Sequence, residues 1–217
     1  MDVDKNEKKC SRRPAAVVVL AVCVVGGAGW FWREVAKDRL IPKRWDVVEG
    51  HRIYRSGHLS VSLVTKTLAN HGIKVIVALT FEDVQDKDEQ AEKRAAAELG
   101  IELLRFPLLD DGTGDVHHYA GVRAAVVRAE RQGKPALTHC AAGVQRTGGV
   151  IAFYRLLVDK KPPADVVQEL RRHGWNPKRN PNLLPHLDDN LARLATTLHD
   201  QGVIDGIPDP LPVLQTQ

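Results

Sequence analysis

The segment KVIVALT at 74–80 is almost unbroken apolar and largely β-branched. A strand with one wet face alternates polar and apolar side chains. A run without alternation is the pattern of a strand covered on both faces, as in parallel sheets lying between helices. The surrounding segments supply those helices. Residues 60–71 (SVSLVTKTLANH) have an amphipathic helical period that stops at Gly72, and 86–99 read as a helix closed by Gly100. HRIYRSG, from His51, reads as a short strand and turn, IELLRFPL (101–108) as a strand, and ALTHC (136–140) as another. Helices are expected over 116–131, 146–158, 163–173 and 183–200, with a Pro/Asn-rich break at 174–182. Strands alternating with helices predict an α/β fold: a mainly parallel central sheet flanked by helices. In such folds ligands collect where strands end and helices begin.

Charge divides the chain differently. Ten of its 31 Lys and Arg residues, but only five of its 27 Asp and Glu, fall within 1–44, so the net charge of +4 belongs to the N-terminal end. A nucleic-acid footprint needs a basic face on the folded domain, and none is expected here. No charge occurs between Arg13 and Arg33, and the run closes on Trp30-Phe31-Trp32. At ~1.5 Å per residue it would span roughly 28 Å, close to a bilayer's hydrocarbon thickness. Interfacial aromatic residues and flanking basic clusters fit a single-pass membrane location. A cleaved leader, with small residues at Gly26-Gly27-Ala28, is the alternative. The organisation expected is a basic tail (1–14), a transmembrane helix (15–32), a juxtamembrane linker (33–46), a catalytic domain (47–200) and a Pro-containing tail (201–217).

Of three cysteines, only Cys140 lies in the expected domain, so an internal disulfide there is excluded. A lone thiol is either a small buried hydrophobe or a reactive group, and its neighbours favour the second. A buried strand delivers Cys140, the small residues Ala141, Ala142 and Gly143 follow, then Val144 and Gln145, and Arg146 opens a helix. Backbone N–H groups of a tight loop at a helix N-terminus converge into an anion site. Small side chains let that loop curl around a tetrahedral anion, and the planar guanidinium of Arg146 can clamp two of its oxygens. The same positive field favours the thiolate, bringing cysteine pKa values to about 3.5–7.5 in such settings. A thiolate held beneath a bound phosphate is poised for in-line attack.

The pattern H-C-x-x-G-x-x-R-T-G at 139–148 resembles the active-site loop of the cysteine-dependent protein tyrosine and dual-specificity phosphatases. YRSGHLS near the domain start is similar to the opening of small bacterial dual-specificity-like members, and FPLLDDGTGD to the family's general-acid loop. The resemblance covers about 47–200. It implies Cys140 as the nucleophile forming a phosphocysteine, and Arg146 as the binder of phosphoryl oxygens with the loop 141–146. It implies that Thr147 hydrogen-bonds the departing thiolate and that His139 supports the loop from behind. It also implies a carboxylic acid that protonates the leaving oxygen and then activates water. Asp110 is favoured for that role, with Asp111 and Asp115 as alternatives; they precede Cys140 by 30, 29 and 25 residues.

Family members acting on inositol phosphates or lipid headgroups often carry Lys at the loop's variable positions. Here those positions are Ala141, Ala142, Val144 and Gln145. The expected substrate is therefore a phosphorylated protein, on tyrosine or on serine and threonine, with a phospholipid headgroup or another small phosphate ester as the alternative. No cofactor is expected, and no metal: His51, His58, His173 and His186 have no ligand spacing. Two rival readings are a rhodanese-type sulfurtransferase, which would not need Arg146 and Thr147, and a non-catalytic phosphate-binding module, which would usually lack the cysteine, the arginine or the acid.

Overall fold

The computed structural model describes Gly26, residues 37–50 and residues 52–215. The chain divides into Met1–Leu40 and Ile41–Gln217. Of the first unit, only Gly26 and the one-turn helix α1 (Lys37–Leu40) are described.

The second unit is built on five strands, β1 (Asp46–Glu49), β2 (Ile53–Gly57), β3 (Val75–Ala78), β4 (Glu102–Arg105) and β5 (Ala136–Cys140). Their order is β1-β2-β5-β3-β4. β2, β5, β3 and β4 are mutually parallel, and β1 runs antiparallel along β2. The sheet is thus mixed, with one antiparallel edge on the parallel core expected from the sequence. Six helices accompany it: α2 (Val64–Asn70), α3 (Lys87–Leu99), α4 (Val116–Arg131), α5 (Gln145–Leu157), α6 (Pro163–Arg172) and α7 (Leu183–Asp200).

The two-residue period of β3 and β5 decides what lies on each face. Val75, Val77, Ala136 and Cys140 join a core with α4, α5, α6 and α7, whereas Ile76 and Leu137 join a second core with α2 and α3. Both faces of β3 are buried, as its unalternating sequence requires. The same alternation sends Cys140 and its neighbour His139 to opposite faces of the sheet. Helix starts follow local chemistry: the Asp86 carboxylate caps α3 through the N–H groups of Asp88 and Glu89, and Asp115 caps α4 through that of His117. The residues after α7 fold back onto the domain, and Leu214 is fully buried.

The expectation of a single-pass membrane protein is corrected. Among the described residues no helix is long and apolar enough to cross a membrane. The longest, α7, carries Asp188, Asp189 and Arg193 on one side and buries Leu187, Leu191 and Leu194 on the other, so its apolar stripe packs against protein. The segment assigned to the span, 15–32, lies outside the described residues apart from Gly26. Absence of charge over 19 positions was an incomplete criterion, because the run also contains Gly26, Gly27 and Gly29, each costing a helix ~1 kcal/mol relative to alanine.

Candidate active site

β5 ends on Cys140 between β2 and β3, and the chain then curls through Ala141–Val144 into α5. Only glycine suits position 143. Its φ is +72°, and a Cβ there would stand 2.6 Å from Gly57 N and 2.7 Å from Ser56 C and O. The loop therefore rests directly on the end of β2, whose Gly57 is in register with Cys140.

Cys140 is 2 % exposed, and the Gly143 N–H donates to its Sγ at 3.2 Å. Burial alone would push the thiol up. Thr147, through its hydroxyl and backbone N–H, then the Arg146 charge and the Gly143 N–H outweigh burial and hold it below the ordinary thiol value. Thr147 Oγ1 is buried and has no well-aligned hydrogen bond of its own, so its proton is available to the sulfur.

Arg146, in the first turn of α5, is largely buried and pairs its Nη1 with Asp110 Oδ1 at 3.0 Å, although the Asp110 side chain is 96 % exposed. The other two candidate carboxylates are committed elsewhere. Asp111 Oδ1 accepts from the Thr113 N–H and hydroxyl at 3.0 and 2.7 Å, and Oδ2 from Asn182 Nδ2 at 3.1 Å. Partial burial raises the Asp111 carboxyl, but these donors bring it below its usual range. Asp115 is occupied as the α4 cap, and the His117 N–H lowers it likewise. The loop bearing Asp110 is fastened to the rest of the site at Gly112, which has φ +86° and lies so close to Gln145 that a Cβ would meet its C and O at 3.0 Å. Buried Tyr119 donates its hydroxyl to the Gly112 carbonyl.

His139 meets Glu92 of α3 at 3.0 Å, Nε2 to Oε1, with both side chains almost fully buried. Neither atom makes an aligned hydrogen bond, and the contact is an ion pair when His139 is protonated. Burial opposes both charges. Even so, Glu92 raises the His139 pKa and His139 lowers that of Glu92. His58 stacks on His139 with ring centres 5.3 Å apart. Burial and the neighbouring His139 charge keep the His58 pKa low.

Two arginines that the sequence reading did not single out also reach this loop. Arg55 of β2, 1 % exposed, donates Nη2 to the Gly143 carbonyl at 3.0 Å, and its Nη1 lies 4.0 Å from Glu169. Burial lowers its pKa to about 10, partly offset by Glu169 and Cys140. Arg44 donates Nη1 to the Ala142 carbonyl at 2.8 Å. They stand 88 and 98 positions from the residues they contact; the only visible signal was Arg55 within YRSG. Ala141 and Ala142 are exposed, Gly143 and Val144 buried, and Gln145 half-buried. Among the described residues no group of three or more His, Cys, Asp or Glu side chains could hold a metal ion.

The arrangement joins an activated sulfur, a guanidinium and a cup of backbone amides, a combination able to bind and attack a tetrahedral anion. Comparison with known proteins points the same way. The family model described as a DSP-PTPase phosphatase fused to NAD+ kinase matches residues 32–181, more than half of the chain. The dual specificity protein phosphatase OPG106 of vaccinia virus (strain Western Reserve) is 37 % identical over 62 residues, which is 28 % of this chain and 36 % of that protein. The chain thus matches only about a third of the length of this curated relative. Among solved structures, TpbA of P. aeruginosa superposes with a TM-score of 0.58 at 20 % identity, covering 72 % of this chain and 91 % of TpbA. The core catalytic domain of the PP-IP phosphatase SIW14 from S. cerevisiae gives 0.57 at 22 % identity, covering 72 % and 93 %. At such identities these two structures establish the shared fold.

Proposed function

This chain belongs to the PTP-NADK family of DSP-PTPase phosphatases, and on that premise we propose that it hydrolyses phosphate monoesters of phosphorylated proteins through a phosphocysteine at Cys140. The observation carrying this reading is the convergence of Cys140 Sγ, the Gly143 N–H and Arg146 at one strand-to-helix bend. The thiolate attacks phosphorus in line, forming the S–P bond as the ester P–O bond breaks, while Arg146 and the amides of 141–146 hold the equatorial oxygens. Asp110 protonates the leaving oxygen. A phosphate arriving at Arg146 displaces its contact with Asp110 and leaves that carboxyl beside the scissile bond. Water then attacks the phosphocysteine with Asp110 as base, and Thr147 hydrogen-bonds the departing thiolate.

Phosphoprotein is favoured because Ala141, Ala142, Val144 and Gln145 bring no charge to the loop. A small, multiply phosphorylated ester is the second reading, supported by the similarity to a PP-IP phosphatase and by exposed Arg44 at the loop's rim. The test is hydrolysis of a chromogenic aryl phosphate with and without EDTA, beside Cys140→Ser. Activity indifferent to EDTA and abolished in Cys140→Ser supports the proposal. Activity retained by Cys140→Ser refutes it. A panel of phosphopeptides and inositol phosphates separates the two substrate readings.

A further inference from the structure

Three successive carbonyls of the loop after Cys140 are each held from outside it. Ala141 O accepts from the His58 N–H at 3.1 Å, Ala142 O from Arg44 Nη1 at 2.8 Å, and Gly143 O from Arg55 Nη2 at 3.0 Å. A trans peptide is a rigid plane whose C=O and N–H point in opposite directions. Among the described residues the one cis bond is Asp209-Pro210, so all three of these peptides are trans. Tying each carbonyl outward therefore turns the next N–H inward. For the middle peptide the result is visible: Arg44 holds Ala142 O, and the Gly143 N–H on the same plane meets Cys140 Sγ at 3.2 Å. By the same geometry His58 N–H aims the amide of Ala142, and Arg55 that of Val144.

We propose that Arg44 and Arg55 are positioning residues that set the peptide planes of the anion-binding loop, so that its N–H groups face the phosphoryl oxygens and the sulfur. Neither contacts the reacting atoms. Without such anchors a loop of Ala-Ala-Gly could rotate its peptides and present carbonyl oxygens to the anion, a repulsive arrangement. Arginine suits both places. At Gly143 it brings a donor into the interior while a second nitrogen faces Glu169, and at Ala142 it reaches the loop from outside the sheet. The inference rests on reading this loop as the phosphate-binding element of the proposed enzyme.

The experiment compares wild type with Arg44→Met, Arg44→Lys and Arg55→Met. It measures kcat and KM on an aryl phosphate, inhibition by vanadate, the pH profile of Cys140 alkylation by iodoacetamide, and thermal melting. Losing one such hydrogen bond should weaken vanadate binding about three- to tenfold in Arg44→Met, move the alkylation midpoint upward, and leave melting nearly unchanged because the side chain is exposed. Arg44→Lys, which retains a donor, should recover part of both losses. Arg55→Met should show the same two changes together with lower melting, and where it does not fold the Arg44 pair decides alone. An active wild type whose Arg44→Met variant keeps wild-type vanadate affinity and alkylation profile overturns the inference. A wild type without phosphatase activity overturns the reading of the loop, and the inference with it.

Discussion

Gly143→Ala places one methyl group where the structure leaves no room. Its Cβ would stand 2.6 Å from Gly57 N and 2.7 Å from the Ser56 carbonyl, both backbone atoms of a buried strand. Neither can yield without disturbing the β2–β5 pairing, so the loop must retreat. Restoring ordinary contact needs a shift of roughly 0.8 Å, and misplacement on the scale of 1 Å costs about 100-fold in rate where groups act by position. The residue also sits at φ +72°, where a non-glycine costs ~1–2 kcal/mol. For a domain of this size that corresponds to a melting point lower by about 2–8 °C. The variant should therefore fold, melt slightly earlier, and lose about two orders of magnitude in kcat/KM. Steady-state kinetics on an aryl phosphate, beside circular-dichroism melting, measure both effects. Near-wild-type turnover from a folded variant would refute the claim that the amide cup is rigidly set against β2.

Asp110→Ala should lower kcat by about 10²–10⁴-fold on a substrate with a poor leaving group while vanadate still binds; unchanged turnover would move the acid's role to another group. The lowered Cys140 pKa should make iodoacetamide react at pH values where an ordinary thiol, near 8.5, is still protonated, and an alkylation midpoint at or above that value would contradict the electrostatics. The sign for stability follows: the thiolate's contribution is complete above the unfolded value and disappears as pH falls through the folded one. Glu92→Gln leaves buried His139 without its counter-charge, and breaking a buried pair costs up to about 3–5 kcal/mol, so melting should fall most at pH values between the two folded pKa values, where both partners are charged, and less at higher pH, where the imidazole is neutral. In the wild type, raised His139 stabilises below about 6.5 and loses that effect as pH rises through its folded value, while lowered Glu92 stabilises above about 4.3 and loses it as pH falls through its own. A flat melting profile across both flanks would count against a charged pair.

What the sequence revealed and what it concealed divide along range. KVIVALT became β3 because a two-faced strand leaves a signature in its own residues. The 116–131 and 183–200 helices were equally readable from their periods and breakers. The strand expected over 101–108 is shorter, Glu102–Arg105, ending before Pro107, which has no N–H for a ladder. The helix expected from residue 60 begins at Val64, after Ser60 O accepts from the Leu63 and Val64 N–H groups in a turn. β1 was hidden because four residues, DVVE, at the boundary between the expected linker and the expected domain, carry too little pattern to stand out. The loop Cys140–Arg146 was legible because its chemistry is contiguous. Its supports were not: Arg44 and Arg55 hold its carbonyls and Glu92 faces His139 from 47 to 98 positions away in the chain, and nothing local marks such partners. The apolar N-terminal run misled because uncharged length was weighed without the helix cost of its glycines.

The proposed mechanism turns on transfer of the phosphoryl group to the Cys140 sulfur itself. The most direct measurement is rapid quenching of wild-type enzyme during turnover of an aryl phosphate, with the adduct located by peptide mass spectrometry and its bond type by phosphorus NMR. A phosphoryl group bonded to sulfur at Cys140, and absent from Cys140→Ser, is the expected result. Full turnover with no adduct at Cys140, or with phosphate on another residue, would contradict the account.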